Sequence, residues 1–175
     1  MDGLVRDTML SAILSKSDCA SCKFCCSFKR SSLWETPVFE KALAEKLKLL
    51  YKDVKFHPLA GSSSSFTYDI SSSYKTDNAE EEAPCPFLDK NRGCILPPED
   101  KPFDCKIWPL RVVRLPELAV ALTPTCPAIN RQPLQKVRDL AEQGLGKVIL
   151  DYARKNPDII KEYSDFLSTI IYSEK

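Results

Sequence analysis

The sequence has few of the residues from which several common kinds of site are built. Its 175 residues include one histidine and five glycines. The histidine, His57, stands beside Pro58 in a turn-rich stretch, where a lone histidine is more often a surface residue than a catalytic base. Neither a phosphate-binding glycine loop nor a serine-centred triad is present in the sequence. Nucleotide binding and nucleophilic catalysis therefore lack their usual motifs.

Long apolar runs and a charge excess are also absent. No apolar stretch approaches the roughly 20 residues of a membrane-spanning helix. The formal net charge is +1, so no overall charge attracts the chain to nucleic acid or to an anionic membrane. Residues 1–18 lack the basic leader and continuous apolar stretch of a secretion signal. We therefore expect a cytoplasmic protein that binds neither nucleic acid nor membrane.

Cysteine, in contrast, is abundant. A chain of this length can bury a core without disulfide bonds, and thiols stay reduced in the cytoplasm. Repeated cysteines in that setting favour metal binding. Disulfide bonds, and cysteines that pack simply as small hydrophobic residues, are the alternatives. The eight candidate ligands are Cys19, Cys22, Cys25, Cys26, Cys85, Cys94, Cys105 and Cys126.

Four of these cysteines lie in the short stretch CASCKFCC. Two residues between cysteines let both thiolates turn toward one ion. The repeated spacing, C-x-x-C-x-x-C, is typical of low-potential ferredoxins, whose fourth ligand is a remote cysteine followed by proline. Cys85 and Cys126 are both followed by proline. We predict a [4Fe–4S] cluster held by Cys19, Cys22, Cys25 and one of these two, with zinc as the alternative.

Cys25 and Cys26 are adjacent in the chain, which limits how they can be used. Side chains of neighbouring residues tend to point in different directions, so both seldom reach one small ion. We predict that the two serve different sites or roles, and the eight cysteines divide readily into two sets of four. Ligation by sulfur alone fits zinc or iron–sulfur and argues against magnesium, calcium or manganese.

The periodicity of the apolar residues predicts a mixed but helix-rich fold. A strand is predicted within FTYDISSSY, and a β-hairpin within RVVRLPELAVALT, which turns at Pro116 and Glu117. The fold class predicted is α+β and helix-rich, with an irregular cysteine-rich metal-binding core, a short hairpin and two C-terminal helices. We expect a single domain over 1–175, with its cysteine core at about 19–130 and a helical part at 131–175. Helices are predicted over 4–15, 37–53, 132–155 and 157–171, and the second is capped by Thr36 with Pro37 at its first position.

Several cysteine-bearing blocks follow one another in an order found in a known family. The blocks are CASCKFCC, SSLWETPVFEKALAEKLKL, CPFLDKNRGCILPPEDKPFDCKIWP and CPAI. Together they resemble the YkgJ-type cysteine-cluster family, a zinc- or iron-chelating domain, over residues 19 to about 130. The resemblance implies that zinc or iron is bound through these cysteines. A related cluster occurs in flagellin lysine N-methylases, which implies an iron–sulfur function for at least one branch.

The sequence departs from the family pattern at positions near the cysteines. Lys23 replaces a glycine, at a steric cost if the position needs a positive φ, although its charge could offset that of nearby thiolates. Lys101 and Lys106 replace arginines, which keeps the charge but loses the bidentate fork. Phe87 and Trp108 are predicted either to shield the cluster from water or to pack in the core. Lys23, Phe87, Lys101 and Trp108 are therefore candidate cofactor-binding residues.

Three functions follow from these patterns. The first is an iron–sulfur protein that transfers electrons, or supports a protein-modification reaction, together with a protein partner. The second is a structural zinc scaffold or interaction module, since zinc sites closed by four ligands are structural. The third is an enzyme that modifies protein side chains, which rests on the likeness to the methylases alone.

Overall fold

The computed structural model describes residues 10, 12–163 and 169–174. The chain divides into two compact units, and each is described by itself. We call residues 23–105 the central unit, and residues 1–22 with 106–175 the terminal unit. The helix predicted over 4–15 falls largely outside the described residues. The expectation of a single domain stays a prediction.

The described residues form short helices and short strands. The α-helices are α1 (Lys16–Cys22), α2 (Lys41–Leu50), α3 (Phe103–Ile107), α4 (Pro127–Asn130), α5 (Leu134–Leu140) and α6 (Gly146–Lys155). The strands are β1 (Ser27–Lys29), β2 (Phe39–Glu40), β3 (Phe56–Pro58), β4 (Ser65–Tyr68), β5 (Glu82–Pro84), β6 (Leu88–Asp89), β7 (Gly93–Cys94), β8 (Leu110–Arg114), β9 (Leu118–Leu122), β10 (Lys161–Glu162) and β11 (Thr169–Ser173).

The central unit contains three small antiparallel sheets. One has the strand order β2–β4–β3, and the other two are the pairs β1–β5 and β6–β7. The strand predicted within FTYDISSSY is confirmed as β4. Helix α2 packs against β2 and β4. It begins at Lys41 rather than near Pro37, because Phe39 pairs with Phe66 of β4 and is held in extended backbone.

Aromatic side chains fill the core of the central unit. Phe39, Tyr68 and Phe87 are each at most 2% exposed. Their ring centroids lie 5.8 to 6.3 Å apart, a spacing at which tilted and edge-to-face aromatic pairs attract one another. Cys85 and Cys94 pack against this core as partly buried residues. The cysteines therefore border an apolar core and do not form the core themselves.

The terminal unit is built on a four-stranded sheet with the order β10–β8–β9–β11. The predicted hairpin is confirmed: β8 and β9 are antiparallel, with Arg114 opposite Leu118. Its buried face carries β-branched and small side chains such as Val112 and Val120, which suit a pleated surface. Helix α6 packs against both hairpin strands and buries Ile149 and Leu150.

The helix predicted over 132–155 forms, with one irregularity. A π-helical turn over Ala141–Leu145 separates α5 from α6. Gly144 lies in this turn with φ 124°, a conformation that residues with a Cβ rarely adopt. Gly144 therefore lies at the junction between the two helices, and Gly146 begins the second.

The helix predicted over 157–171 is wrong. Pro157–Ile159 forms one 3-10 turn, and the described residues beyond it form β10 and β11. Strand β10 runs parallel to β8, and β11 runs antiparallel to β9. The isoleucines of this segment suit either structure when spacing alone is considered, and the free edges of the β8–β9 hairpin select the extended one.

The predicted fold class needs correction as a whole. The structure is roughly α+β, with several small sheets, and is not clearly helix-rich. The two C-terminal helices are replaced by a helix with a π turn followed by two sheet strands. The irregular metal-binding core is wrong as well. Within the residues that the structure describes, no three cysteine, histidine or acidic side chains are grouped so that they could hold one metal ion.

Candidate functional site

The ladder between β1 and β5 brings Cys26 beside Cys85. Ser27 pairs with Pro84. Cys26, which precedes β1, therefore lies beside Cys85, which follows β5. The backbone N–H of Cys85 donates to the carbonyl of Cys26 at 2.8 Å. Two cysteines that are far apart in sequence are thus fixed at one end of a strand pair.

The β6–β7 hairpin returns the chain toward the same place. Cys94 pairs with Leu88, and the N–H of Ile95 donates to the carbonyl of Phe87 at 2.9 Å. The Asp89 carboxylate closes the turn by accepting two backbone N–H groups at 2.8 Å, an Asx-type turn. The hairpin therefore brings Cys94 back toward Cys85.

Cys105 reaches the cluster from helix α3. Its neighbour Asp104 accepts the backbone N–H of Val38 at 3.0 Å, which ties the start of the helix to the segment before β2. Cys105 interacts electrostatically with Cys85, Cys26 and Cys94. We call Cys26, Cys85, Cys94 and Cys105 the central cysteine set.

Cys85 stands in the middle of this set. Burial raises the pKa of its thiol to about 12, since desolvation disfavours the charged form. Hydrogen-bond donation from the Tyr68 hydroxyl and from the Phe87 backbone N–H acts in the opposite direction, and charges on Cys26 and Cys94 raise the pKa further. Tyr68, Phe87 and two other cysteines of the set therefore all affect the pKa of Cys85.

Cys26 and Cys105 have raised pKa values for different reasons. The contact with Cys25 raises the pKa of Cys26 most, followed by burial, whereas the charge of Lys101 lowers it. Cys105 has an exposed surface, yet desolvation by surrounding protein raises its pKa first, followed by the charges of Cys85 and Asp104. Solvent therefore reaches the set at Cys105.

Cys25 contacts the set through its neighbour Cys26. The two sulfur atoms of the vicinal pair are 4.0 Å apart. The groups that most strongly affect the pKa values of Cys85, Cys105 and Tyr68 include Cys26. The predicted division of the vicinal pair stays a prediction, and this contact pattern is consistent with it.

Three candidate ligands belong to the terminal unit. Cys19 and Cys22 are exposed on α1, and the buried Cys126 immediately precedes α4. Helices α1 and α4 pack together, and the Asp18 carboxylate pairs with Arg131 at 3.2 Å. These three cysteines therefore lie on two helices that are in contact.

The four candidate cofactor-binding residues have separate surroundings. Lys101 interacts with Cys26, and the backbone N–H of Phe87 donates to Cys85. Lys23 precedes the turn Phe24–Cys26, and its Nζ donates to the carbonyl of Lys90. Trp108 belongs to the terminal unit, where the Arg111 guanidinium lies 4.9 Å from its ring centroid. Two of the four, Lys101 and Phe87, thus meet the central cysteine set.

The chemistry of the donors fits a thiolate-bound metal, although the set is not closed around one point. The thiols must turn toward one another before they could share an ion. Sulfur donors of this kind select zinc or iron–sulfur. The one histidine, His57, is exposed on β3, as expected from the sequence. Sequence analysis overlooked Tyr68, because an aromatic residue in a strand has the same pattern as ordinary core.

Lys23 occupies the left-handed region, with φ 55° and ψ 3°. This conformation costs a residue with a Cβ roughly 1–2 kcal/mol. We predict that Lys23→Gly unfolds with a free energy about 1 kcal/mol higher than Lys23→Ala. Both variants lose the contact with Lys90, so urea denaturation of the pair isolates the backbone effect. Equal stabilities would contradict the prediction.

No family model, curated protein or solved structure matches the chain. Within the described part of the chain, every helix is too short or too polar to cross a membrane.

Proposed function

We propose that this protein binds a metal centre through cysteine thiolates, and that the central cysteine set provides one group of ligands. The observation that supports the proposal is that Cys26, Cys85, Cys94 and Cys105 interact electrostatically within one unit, although no three of them are arranged to hold an ion as they stand. Cys85 and Cys105 each interact with the other three cysteines of the set. Four isolated cysteines that serve only as small hydrophobic residues have no physical reason to gather in this way.

An iron–sulfur cluster is the first candidate for the centre. Hydrogen bonds to sulfur and the exclusion of solvent set the potential of such clusters, and Cys85 has two nearby donors beside an aromatic core. The run C-x-x-C-x-x-C adds the spacing of ferredoxins. A bound cluster would supply one-electron transfer, and this chain would transfer electrons or support a modification reaction together with a protein partner.

Structural zinc is the second candidate, and burial of the ligands favours it. Cys85 and Cys94 pack against the core of the central unit. Structural zinc is bound by four protein ligands with no open position. A scaffold or interaction module would then be the function. The resemblance to the YkgJ-type family supports both candidates, because that family is described by zinc or iron chelation.

The test is elemental analysis of the full chain purified without oxygen. Iron, zinc and acid-labile sulfide are counted per chain, with the visible absorption spectrum recorded on the same sample. Iron and sulfide in similar amounts, in a brown sample, are the expected result. Zinc without sulfide in a colourless sample would replace the first candidate by the second. Eight free thiols with no metal would overturn both.

A further inference from the structure

Helix α1 carries two exposed cysteines, Cys19 and Cys22, which lie three residues apart on one helical face. At this spacing in an α-helix, the Cβ atoms are about 5–6 Å apart. A disulfide bond needs Cβ atoms at about 3.5–4.5 Å, so the two must approach by about 1–2 Å. Cys22 is the last residue of the helix, and helix ends fray more readily than helix interiors. A small change at this end therefore lets the two sulfurs bond.

The start of α1 is anchored by two sets of contacts. Ser15 and Asp18 form a capping box: the Ser15 N–H donates to the Asp18 carboxylate at 3.0 Å, and the Asp18 N–H donates to the Ser15 hydroxyl at 3.1 Å. Asp18 also pairs with Arg131, the residue after α4. Cys19 directly follows Asp18, whereas Cys22 lies at the opposite end of the helix. The anchored turn thus holds one sulfur while the other moves toward it.

The exposure of this pair favours reaction with a substrate from solution. Cys126 of the same unit is 7% exposed, whereas Cys19 and Cys22 both have exposed surfaces. The rate of thiol–disulfide exchange depends on access to the sulfur that reacts. Disulfides that are exposed or strained are also the ones that are reduced easily. A bond between Cys19 and Cys22 would therefore be reversible and would not serve as a structural crosslink.

We propose that Cys19 and Cys22 form a dithiol that exchanges with the disulfide bond of a small compound such as glutathione disulfide. One cysteine gives its proton to solvent, attacks a substrate sulfur and forms a mixed disulfide, which releases the first substrate thiolate. The second cysteine also gives up its proton and attacks the protein sulfur of the mixed disulfide, which releases the second thiolate. The protein loses two electrons and two protons, and the substrate gains them as two thiols. The inference goes beyond the proposed function, because neither sulfur belongs to the central cysteine set.

Trypsin separates this pair from the other cysteines, because it cuts after Lys16 and Lys23. The peptide of residues 17–23 contains Cys19 and Cys22 and no other cysteine. The full chain is equilibrated without oxygen in mixtures of glutathione and glutathione disulfide, its remaining thiols are alkylated, and the peptide mass is measured. As the share of disulfide rises, we expect the peptide to lose two hydrogens and to take up no alkyl group. Excess glutathione should restore both alkylation sites.

Cys22→Ser removes the thiol that resolves the mixed disulfide. Cys19 of this variant should keep glutathione as a mixed disulfide. At a fixed glutathione concentration, its half-oxidation should need at least about tenfold more glutathione disulfide than the wild-type pair, because the second wild-type step is intramolecular. Ser21→Ala is the matched control on the same helix. Its hydroxyl donates to the carbonyls of Ser17 and Asp18, so this variant should exchange as the wild type does.

Three results would overturn the inference. The first is alkylation of both cysteines of the 17–23 peptide in the most oxidising mixture, which is also the result if a metal ion occupies them. The second is glutathione bound to both cysteines, and the third is a disulfide from this peptide to another cysteine-containing peptide. Each is read from residues 17–23 alone, whereas the proposed function is tested by the metal content of the chain. Failure of one is therefore distinguishable from failure of the other.

Discussion

If the central cysteine set binds a metal as proposed, Cys26→Ser is expected to remove that metal, whereas Cys25→Ser leaves the set loaded. Cys26 interacts with Cys85 and Cys105, and its carbonyl accepts the N–H of Cys85. Serine oxygen is a harder donor than thiolate and suits zinc or iron–sulfur less well. Loss of one ligand in four should lower metal affinity by more than about 100-fold, beyond the usual effect of an outer-shell substitution.

Cys25→Ser is a closely matched control for Cys26→Ser. Both residues lie in the 3-10 turn Phe24–Cys26, so both substitutions change the same piece of backbone. The measurement is metal content per chain after anaerobic purification, together with affinity from chelator competition. If both variants lose the same metal with the same affinity change, the vicinal pair serves one site, and the division of the pair is refuted.

Phe87→Ala is expected to lower the free energy of unfolding by about 3–5 kcal/mol. The Phe87 ring is 1% exposed and lies 5.3 Å from the ring centroid of Tyr51 and 6.3 Å from that of Phe39. Replacement by alanine removes buried apolar surface and leaves a cavity among the aromatic side chains of the core. Urea denaturation of the metal-free chain measures the change without a contribution from metal binding.

Phe87→Leu separates packing from any special requirement for a ring. Leucine keeps much of the volume, so the expected loss is about 1.5 kcal/mol or less. The backbone N–H that donates to Cys85 is present in both variants. A stability for Phe87→Ala close to that of the wild type would refute the assignment of Phe87 to the core.

The aromatic core and the cysteine set are physically connected. Tyr68 and Phe87 belong to the core and also lower the pKa of Cys85. A substitution that loosens the core should therefore also disturb the geometry around this one sulfur. A preorganised site requires that packing hold its ligand side chains in position.

Secondary structure was predicted correctly where the residues of one segment are enough to determine it. The β8–β9 hairpin follows from two apolar runs that flank Pro116 and Glu117, and it appears as expected. The steric cost at Lys23 is also a local property of the backbone, since φ there is 55°. Residues 41–50 form a helix because their apolar positions recur at helical spacing.

Long-range pairing explains the main errors. The C-terminal apolar residues have helical spacing, yet Ile170 and Ile171 lie in β11 because the β8–β9 hairpin offers two free edges. The early start predicted for α2 failed for the same reason, since β4 pairs with Phe39. Strand partners cannot be read from one segment, because the hydrogen bonds that stabilise a strand belong to another part of the chain.

The sequence by itself determined the chemical character of the candidate site: eight sulfur donors, almost no histidine, and a vicinal pair that is difficult to use at one ion. Only the tertiary structure decided which of these residues meet. It gathered Cys26, Cys85, Cys94 and Cys105 at the border of an aromatic core, and it placed the Tyr68 hydroxyl among them. Residue type fixes which atoms can bind a metal, whereas strand pairing and core packing bring together residues that are distant in the chain.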